Sequence, residues 1–376
     1  MSGNLPLYIN TALVIACMVF AIIFFVFPLP SDHKGLKNYR ISLRTLAVAY
    51  LIFAILITFS IFIDEPEVDL LSIINLNIAS FQAILFTMAL VILLNPSLVT
   101  GQYLLKHISP ILLFDLVDIV LSLKWHDPNI DNISDLIMLW CYPTVILREL
   151  FLFFYIIQLV YLTNIFIRQT KYYTSVLNDY FSDGYQLYLP WVKVCYYSAL
   201  TLGIFGVFMM CFFSLGGEVV FTMCCIIFYI IFGACYIQYP RTFLKIEPAI
   251  QSLTQPEFSL KINNRLSWGV LKAKIIKEKY YTRVGVNIED MAQHLKIGRT
   301  TLSGFINKEE GINFNTWIGT LRVEEAIRIF QENPHYSIAQ VSEMVGYTEP
   351  SNFSRQFKNI IGQTPSEWCQ QKRILA

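Results

Sequence analysis

Charge is scarce in this sequence. Lysine, arginine, aspartate and glutamate make up 15% of its 376 residues, against about 25% in an ordinary soluble domain. Histidine is scarcer still: His33, His107, His126, His294 and His335 are scattered and form no ligand cluster. No two of the eight cysteines stand in C-x-x-C spacing, so neither a zinc site nor a thioredoxin-like site is signalled. Cys17, Cys141, Cys195, Cys211, Cys224, Cys225 and Cys235 lie in apolar segments, where a thiol behaves as a small buried hydrophobe. Cys369 stands alone, so a disulfide framework is not expected. The patterns G-x-x-x-x-G-K-[ST], G-x-G-x-x-G, H-E-x-x-H and G-x-S-x-G are missing. Catalysis, a bound metal and a cofactor therefore find no support, and the expectation is a protein that is not an enzyme.

Apolar side chains are abundant. Hydrophobic residues reach 55%, with 29 Phe and 21 Tyr, and mean hydropathy is +0.52. These values exclude a disordered chain and argue against an ordinary soluble enzyme. Five runs each approach the roughly 20 residues a helix needs to cross a bilayer: Leu7–Phe27, Ser42–Ile63, Ile73–Leu94, Trp191–Phe213 and Val219–Gln238. Two more are expected at Ile108–Leu123 and Cys141–Ile167, which makes seven spans, with five or six as alternatives. The first run is not expected to be a cleaved signal peptide, since it lacks a basic start and ends in Pro28-Leu29-Pro30.

Loop charges give an orientation. One alternate set of loops holds Lys34, Lys37, Arg40, Arg44, Lys106, Arg168, Lys171, Lys193, Arg241 and Lys245, whereas the other holds Lys124 alone. Lysine and arginine collect on the cytoplasmic side. The bias puts the N-terminus outside and the C-terminal tail in the cytoplasm, as in a multi-pass protein of a bacterial cytoplasmic (inner) membrane.

A few charges fall inside the spans. Asp115 and Asp118 share one helix face, and Arg148 and Glu149 follow in the next span. Asp118 and Arg148 reach similar depth, so a pair between neighbouring helices is feasible. Charge in lipid costs roughly 2.5–3.5 kcal/mol on insertion scales. Two readings stand: a ligand or signal pocket between the fourth and fifth spans, or an ion pair that fixes the bundle. Asn75, Asn77 and Gln82 fit interhelical hydrogen bonding.

The tail is different in kind. Residues 1–260 carry 12 basic and 16 acidic side chains, and residues 261–376 carry 16 basic and 11 acidic. The net charge is −4 over the first stretch and +5 over the second, which suits a tail that meets polyanions. Between them, 241–267, with Pro248 and Pro256, reads as a linker or a short interfacial helix. Lys261, Arg265, Lys272, Lys274, Lys277, Lys279 and Arg283 then form a basic run. It fits anionic lipid, DNA phosphate or a solvated helix face.

Asn287 can cap a helix with apolar positions Ile288, Met291, Ala292 and Leu295. Lys296-Ile297-Gly298 makes a turn, and a second helix runs from Arg299 to about Lys308. The arrangement recurs about 50 residues later. There Ser337 and Gln340 fit a capping box, and Gly346 suits a left-handed cap. Pro350 opens a helix with Ser351, Asn352, Ser354 and Arg355 outward and Phe353 and Phe357 inward. Phe314–Gln331 between them reads as one helix with two apolar faces. These are two helix-turn-helix units in tandem.

Leu321-Arg322-Val323-Glu324-Glu325-Ala326, Ser337-Ile338-Ala339, Val345-Gly346-Tyr347, Asn352-Phe353-Ser354-Arg355-Gln356-Phe357-Lys358 and Thr364-Pro365-Ser366-Glu367-Trp368 resemble the AraC/XylS family of transcription regulators. The resemblance covers about 268–373. It implies an all-α chain: a helical membrane bundle over 1–240, a linker over 241–267, and a seven-helix DNA-binding domain over 268–376. Its two recognition helices would enter successive major grooves of double-stranded DNA. By position, Thr300, Ser303 and Gly304 would read from the first and Ser351, Ser354 and Arg355 from the second, with Asn352 beside them. Arg299 and Lys308 would hold phosphate, and Lys358 is a further DNA-binding candidate. Gly298 and Gly304 depart from the Ser and the basic residue the family often has there, so the first unit is expected to position more than it reads. Tyr347 replaces the usual Phe, and Cys369 stands where an Arg is often found.

The resulting expectation is a membrane-embedded regulator, an activator or otherwise, whose bundle senses an unknown ligand, membrane lipid or membrane partner. RNA polymerase is a further partner compatible with this reading. A homodimer would favour paired sites, although no heptads point to one. A transporter or a passive anchor with an appended DNA-binding tail is the rival.

Overall fold

A computed structural model of the chain describes residues 5–29, 36–63, 71–125, 128, 130, 133–182, 190–211, 215–238, 240, 246, 249 and 267–375. The described residues are helical and contain no strand, only one isolated antiparallel bridge, Phe181 to Asn287. The linker read over 241–267 lies almost wholly outside them. The chain divides into two compact units, Met1–Lys171 with Leu189–Glu247, and Tyr172–Tyr188 with Pro248–Ala376.

The first unit is built from α1 (Leu5–Val26), α2 (Leu36–Ile63), α3 (Ile73–Leu94), α4 (Gly101–Ser122), the short α5 (Ile133–Met138), α6 (Pro143–Tyr180, whose last turns belong to the second unit), α7 (Pro190–Cys211) and α8 (Leu215–Gln238). All but α4 and α5 are long and apolar enough to cross a membrane, six helices among the described residues. α4 is long enough but carries Lys106, Asp115 and Asp118. It also starts earlier than the apolar run at Ile108, because Thr100 caps it by accepting a hydrogen bond from the Tyr103 amide at 3.2 Å. α6 runs past Ile167 to Tyr180, since its polar residues from Arg168 onward leave an apolar stripe in register.

α3 is the centre of this unit, packing against α2, α4 and α7, and Thr87 to Leu94 are all buried. Between such apolar helices, polar bonds and close packing fix the neighbours, and here tyrosines supply the bonds. Tyr39 donates to the Tyr236 carbonyl at 2.7 Å and Tyr50 to the Tyr229 carbonyl at 2.8 Å, and Ser42 bonds Tyr236. Gln82 of α3 donates to the Ala49 carbonyl at 2.9 Å, which fulfils the interhelical role expected of it. At Gly233 a side chain would collide with the Phe20 ring, so α1 and α8 meet there on bare backbone.

In the second unit Tyr172–Ser182 is joined by seven α-helices: α9 (Trp268–Glu278), α10 (Ile288–Leu295), α11 (Arg299–Phe305), α12 (Phe314–Glu332), α13 (Ile338–Met344), α14 (Pro350–Ile361) and α15 (Pro365–Leu375). The double-faced helix is α12. Trp317, Ile318 and Leu321 are buried on one side, and Val323, Ala326 and Phe330 on the other pack with Val341, Phe353, Phe357 and Trp368.

Candidate nucleic-acid interface

Each half of the second unit is a helix, a tight turn and a second helix. In the first half the Asn287 side chain caps α10 by accepting from the Asp290 amide at 2.9 Å. Lys296 ends it in the left-handed conformation, φ 58°. α11 begins at Gly298, a cap with no side-chain bond. Leu302 and Ile306 are buried beneath it, and the chain continues through a wide turn, Ile306–Glu310. In the second half, Ser337 and Gln340 form the reciprocal capping box. Gly346 carries the turn at φ 90°, where a side chain would run into the Thr282 carbonyl. Pro350 sits at the first turn of α14, and Phe353 and Phe357 are fully buried.

The outer faces of α11 and α14 hold the polar residues singled out above. On α14, Ser351, Arg355 and Lys358 are exposed and follow one another at i, i+4 and i+7, with Ser354 half-buried at the margin. On α11 and its continuation, Thr300, Gly304 and Lys308 are exposed at i, i+4 and i+8, with Arg299 and Ser303 half-buried beside them. Asn352 departs from expectation. It is buried, not outward, because the inner stripe of α14 is broad enough to take in 352 and 356 as well as 353 and 357.

Much of the tail's positive charge has work inside the fold. Arg322 is fully buried; its Nε donates to the Tyr281 carbonyl at 2.7 Å and its Nη2 to the Arg283 carbonyl at 2.8 Å. Lys272 bonds Glu310 at 2.8 Å and Lys279 bonds Glu325 at 2.7 Å, so the basic run is partly consumed in structural pairs. Bonds from Arg328, and secondarily from Lys279, hold the Glu325 carboxyl below the usual carboxylate range. Burial alone would raise the Glu310 carboxyl, but Lys272 and Trp268 outweigh it and lower it. The paired acids that make these lysines structural were not picked out from the sequence. Glu310 lies 38 residues from its lysine, beyond any helical spacing that would have signalled it.

The charges within the apolar runs lie on two helices, Asp115 and Asp118 on α4 and Arg148 and Glu149 on α6. Asn77 of α3 donates to Asp115 at 2.6 Å, and Asp118 is half-buried on α4. Arg148 is buried on α6, whereas its neighbour Glu149 is exposed on another face. Asn77 was expected as hydrogen-bonding glue, and it bonds the very carboxylate singled out as a sensor candidate. The described residues hold no group of His, Cys, Asp or Glu able to bind a metal ion.

Residues 291–371 match the family described as "Helix-turn-helix domain". Similar proteins include the Msm operon regulatory protein of Streptococcus mutans, 33% identical over 95 residues that cover 25% of this chain and 33% of that protein. The transcriptional regulatory protein HptR of Staphylococcus aureus is 26% identical over 98 residues, covering 26% of this chain and 37% of its own. The chain thus spans about a third of these relatives' length, and the apolar unit lies outside the likeness. No solved structure matches. The tail therefore carries a helix-turn-helix domain similar to those of transcription regulators.

Proposed function

We propose that the chain is a membrane-embedded transcription regulator of AraC type. Its tandem helix-turn-helix domain binds double-stranded DNA in the cytoplasm, and its apolar helices lie in the cytoplasmic membrane and sense a signal there. One observation carries the DNA-binding reading: Ser351, Arg355 and Lys358 stand exposed on one face of α14 while Phe353 and Phe357 fix the opposite face in a core. A guanidinium presented this way can bond a guanine edge with two hydrogen bonds, and an ammonium about one turn along can meet phosphate. Thr300 and Ser303 take the corresponding place on α11, with Arg299 and Lys308 toward phosphate. The six long apolar helices and the skew of loop lysines and arginines support the membrane placement. Asp115, Asp118 and Arg148 are the residues through which a bundle ligand would be felt.

Genome-wide recovery of DNA bound to the full chain, with and without Arg355→Ala, tests the reading. The expected result is loss of a defined set of sites in the variant with its membrane fraction unchanged. Identical site sets would remove Arg355 as a base reader.

A further inference from the structure

α6 is 38 residues long, about 57 Å at 1.5 Å per residue, whereas a membrane needs about 20 residues. Its last turns belong to the second unit. They are polar on one side, yet Tyr173, Val176, Leu177 and Tyr180 are all buried at i, i+3, i+4 and i+7. The residues at and just after the end of α6 are bonded to the first helix-turn-helix half. Tyr180 donates to the Glu289 carboxylate at 2.6 Å. Phe181 pairs with Asn287 in the isolated antiparallel bridge, and the Ser182 amide donates to the Val286 carbonyl at 3.2 Å. The Asn315 side chain donates to the Phe181 carbonyl at 3.2 Å and also accepts from Gln356 of α14 at 3.4 Å. One short stretch thus grips α10 directly and touches α14 through a single asparagine.

The position of Asp179 gives this grip a consequence. Its carboxylate lies within electrostatic reach of Arg299, which opens α11 and was singled out as a phosphate contact. A carboxylate within reach of that guanidinium offsets part of its charge and repels an arriving phosphate. We propose that residues 172–182 are a releasable strap that holds the first helix-turn-helix half in a DNA-refusing state. The strap is the end of α6, a continuous helix that begins at Pro143 in the apolar unit, so a shift or rotation of α6 pulls on it directly. A stimulus acts by favouring the α6 position that frees the strap. The inference rests on the DNA-binding reading above and adds to it where control is exerted.

A disulfide lock tests it in the full chain. In the hydrogen-bond pattern at this bridge, Phe181 and Asn287 face each other as a non-bonded pair, where Cα atoms lie about 4.5 Å apart, within reach of a disulfide. Phe181→Cys combined with Asn287→Cys, oxidised in membranes, should form the linked peptide. DNA fragments first recovered with the wild-type chain should then bind at least about tenfold more weakly, with binding regained on reduction. Each single variant and the wild type, carrying the native cysteines, should not respond to the same oxidation. Tyr180→Phe, which removes one hydroxyl from a bond to a carboxylate, should raise unstimulated binding by up to roughly tenfold. No linked peptide, or a locked chain that binds as well as the reduced one, overturns the strap while leaving the DNA-binding reading intact. A wild-type chain that recovers no specific DNA overturns both.

Discussion

The two helix-turn-helix halves share a plan but differ in how firmly it is built. In the second, a capping box starts α13, proline starts the 12-residue α14, and Phe353 and Phe357 sink into a core with Trp368. In the first, α11 has 7 residues, a glycine cap without a side-chain bond and Gly304 near its end. The second half is made to present fixed side chains. The first half is marginal by itself, and that makes it the half an outside contact can control. The strap bonds it accordingly. On the function proposed above, specific reading belongs to the second half and regulation to the first.

The strongest way to break this comparison is through the cores. Phe357→Ala should cost roughly 3–5 kcal/mol, the usual range for a buried aromatic. Hydrogen exchange on the full chain should lose protection across 338–375 and keep it across 288–295. Uniform loss over both halves would show one cooperative body and erase the distinction. Next in size are the two arginines. Arg355→Ala should remove roughly 1–3 kcal/mol of discrimination at one base pair. Arg299→Ala should weaken binding evenly across sequences and lower the salt slope by about one. The reverse pattern would make the first half the reader.

The caps come next. Ser337→Ala should destabilise the second half by roughly 1 kcal/mol. Gly298→Ser should stabilise the first by a few tenths, since a side chain there meets only the Thr301 hydroxyl, 3.6 Å away. Thermal unfolding of the full chain reads both. Equal and opposite shifts would mean the glycine cap is as weak as a missing one.

Much of this architecture is written locally, and that part was legible. Asn287, Ser337 with Gln340, Gly346 and Pro350 act within four residues of themselves, and each takes the place its chemistry predicts. Apolar periodicity likewise marked α1, α3 and the two faces of α12. What escaped are contacts between residues far apart in sequence. Tyr180 and Glu289 are 109 residues apart, and nothing around either announces the other. Gly319 reads as a weak point in a helix, yet the Gln356 amide lies where a side chain would stand. Asn352 was misplaced because a polar residue beside an apolar stripe can fall on either side of its edge. The end of α6 was missed for a related reason: its stripe is tyrosine and valine amid lysine and asparagine, below the level that marks a span.

The smallest effect separates softness from function at Gly304. The residue is exposed inside a helix, with ordinary backbone angles and nothing within 4 Å of an added Cβ. Alanine there should firm α11 by roughly 0.5–1 kcal/mol through the unfolded chain's lost freedom. Slower amide exchange at 302–306 is the expected readout, with DNA recovery held. A firmer helix that binds less DNA would mean that bare backbone at 304 approaches the duplex closely. In that case the first half is shaped for contact as well as for control, and its short helix is a fitted surface, not a loose one.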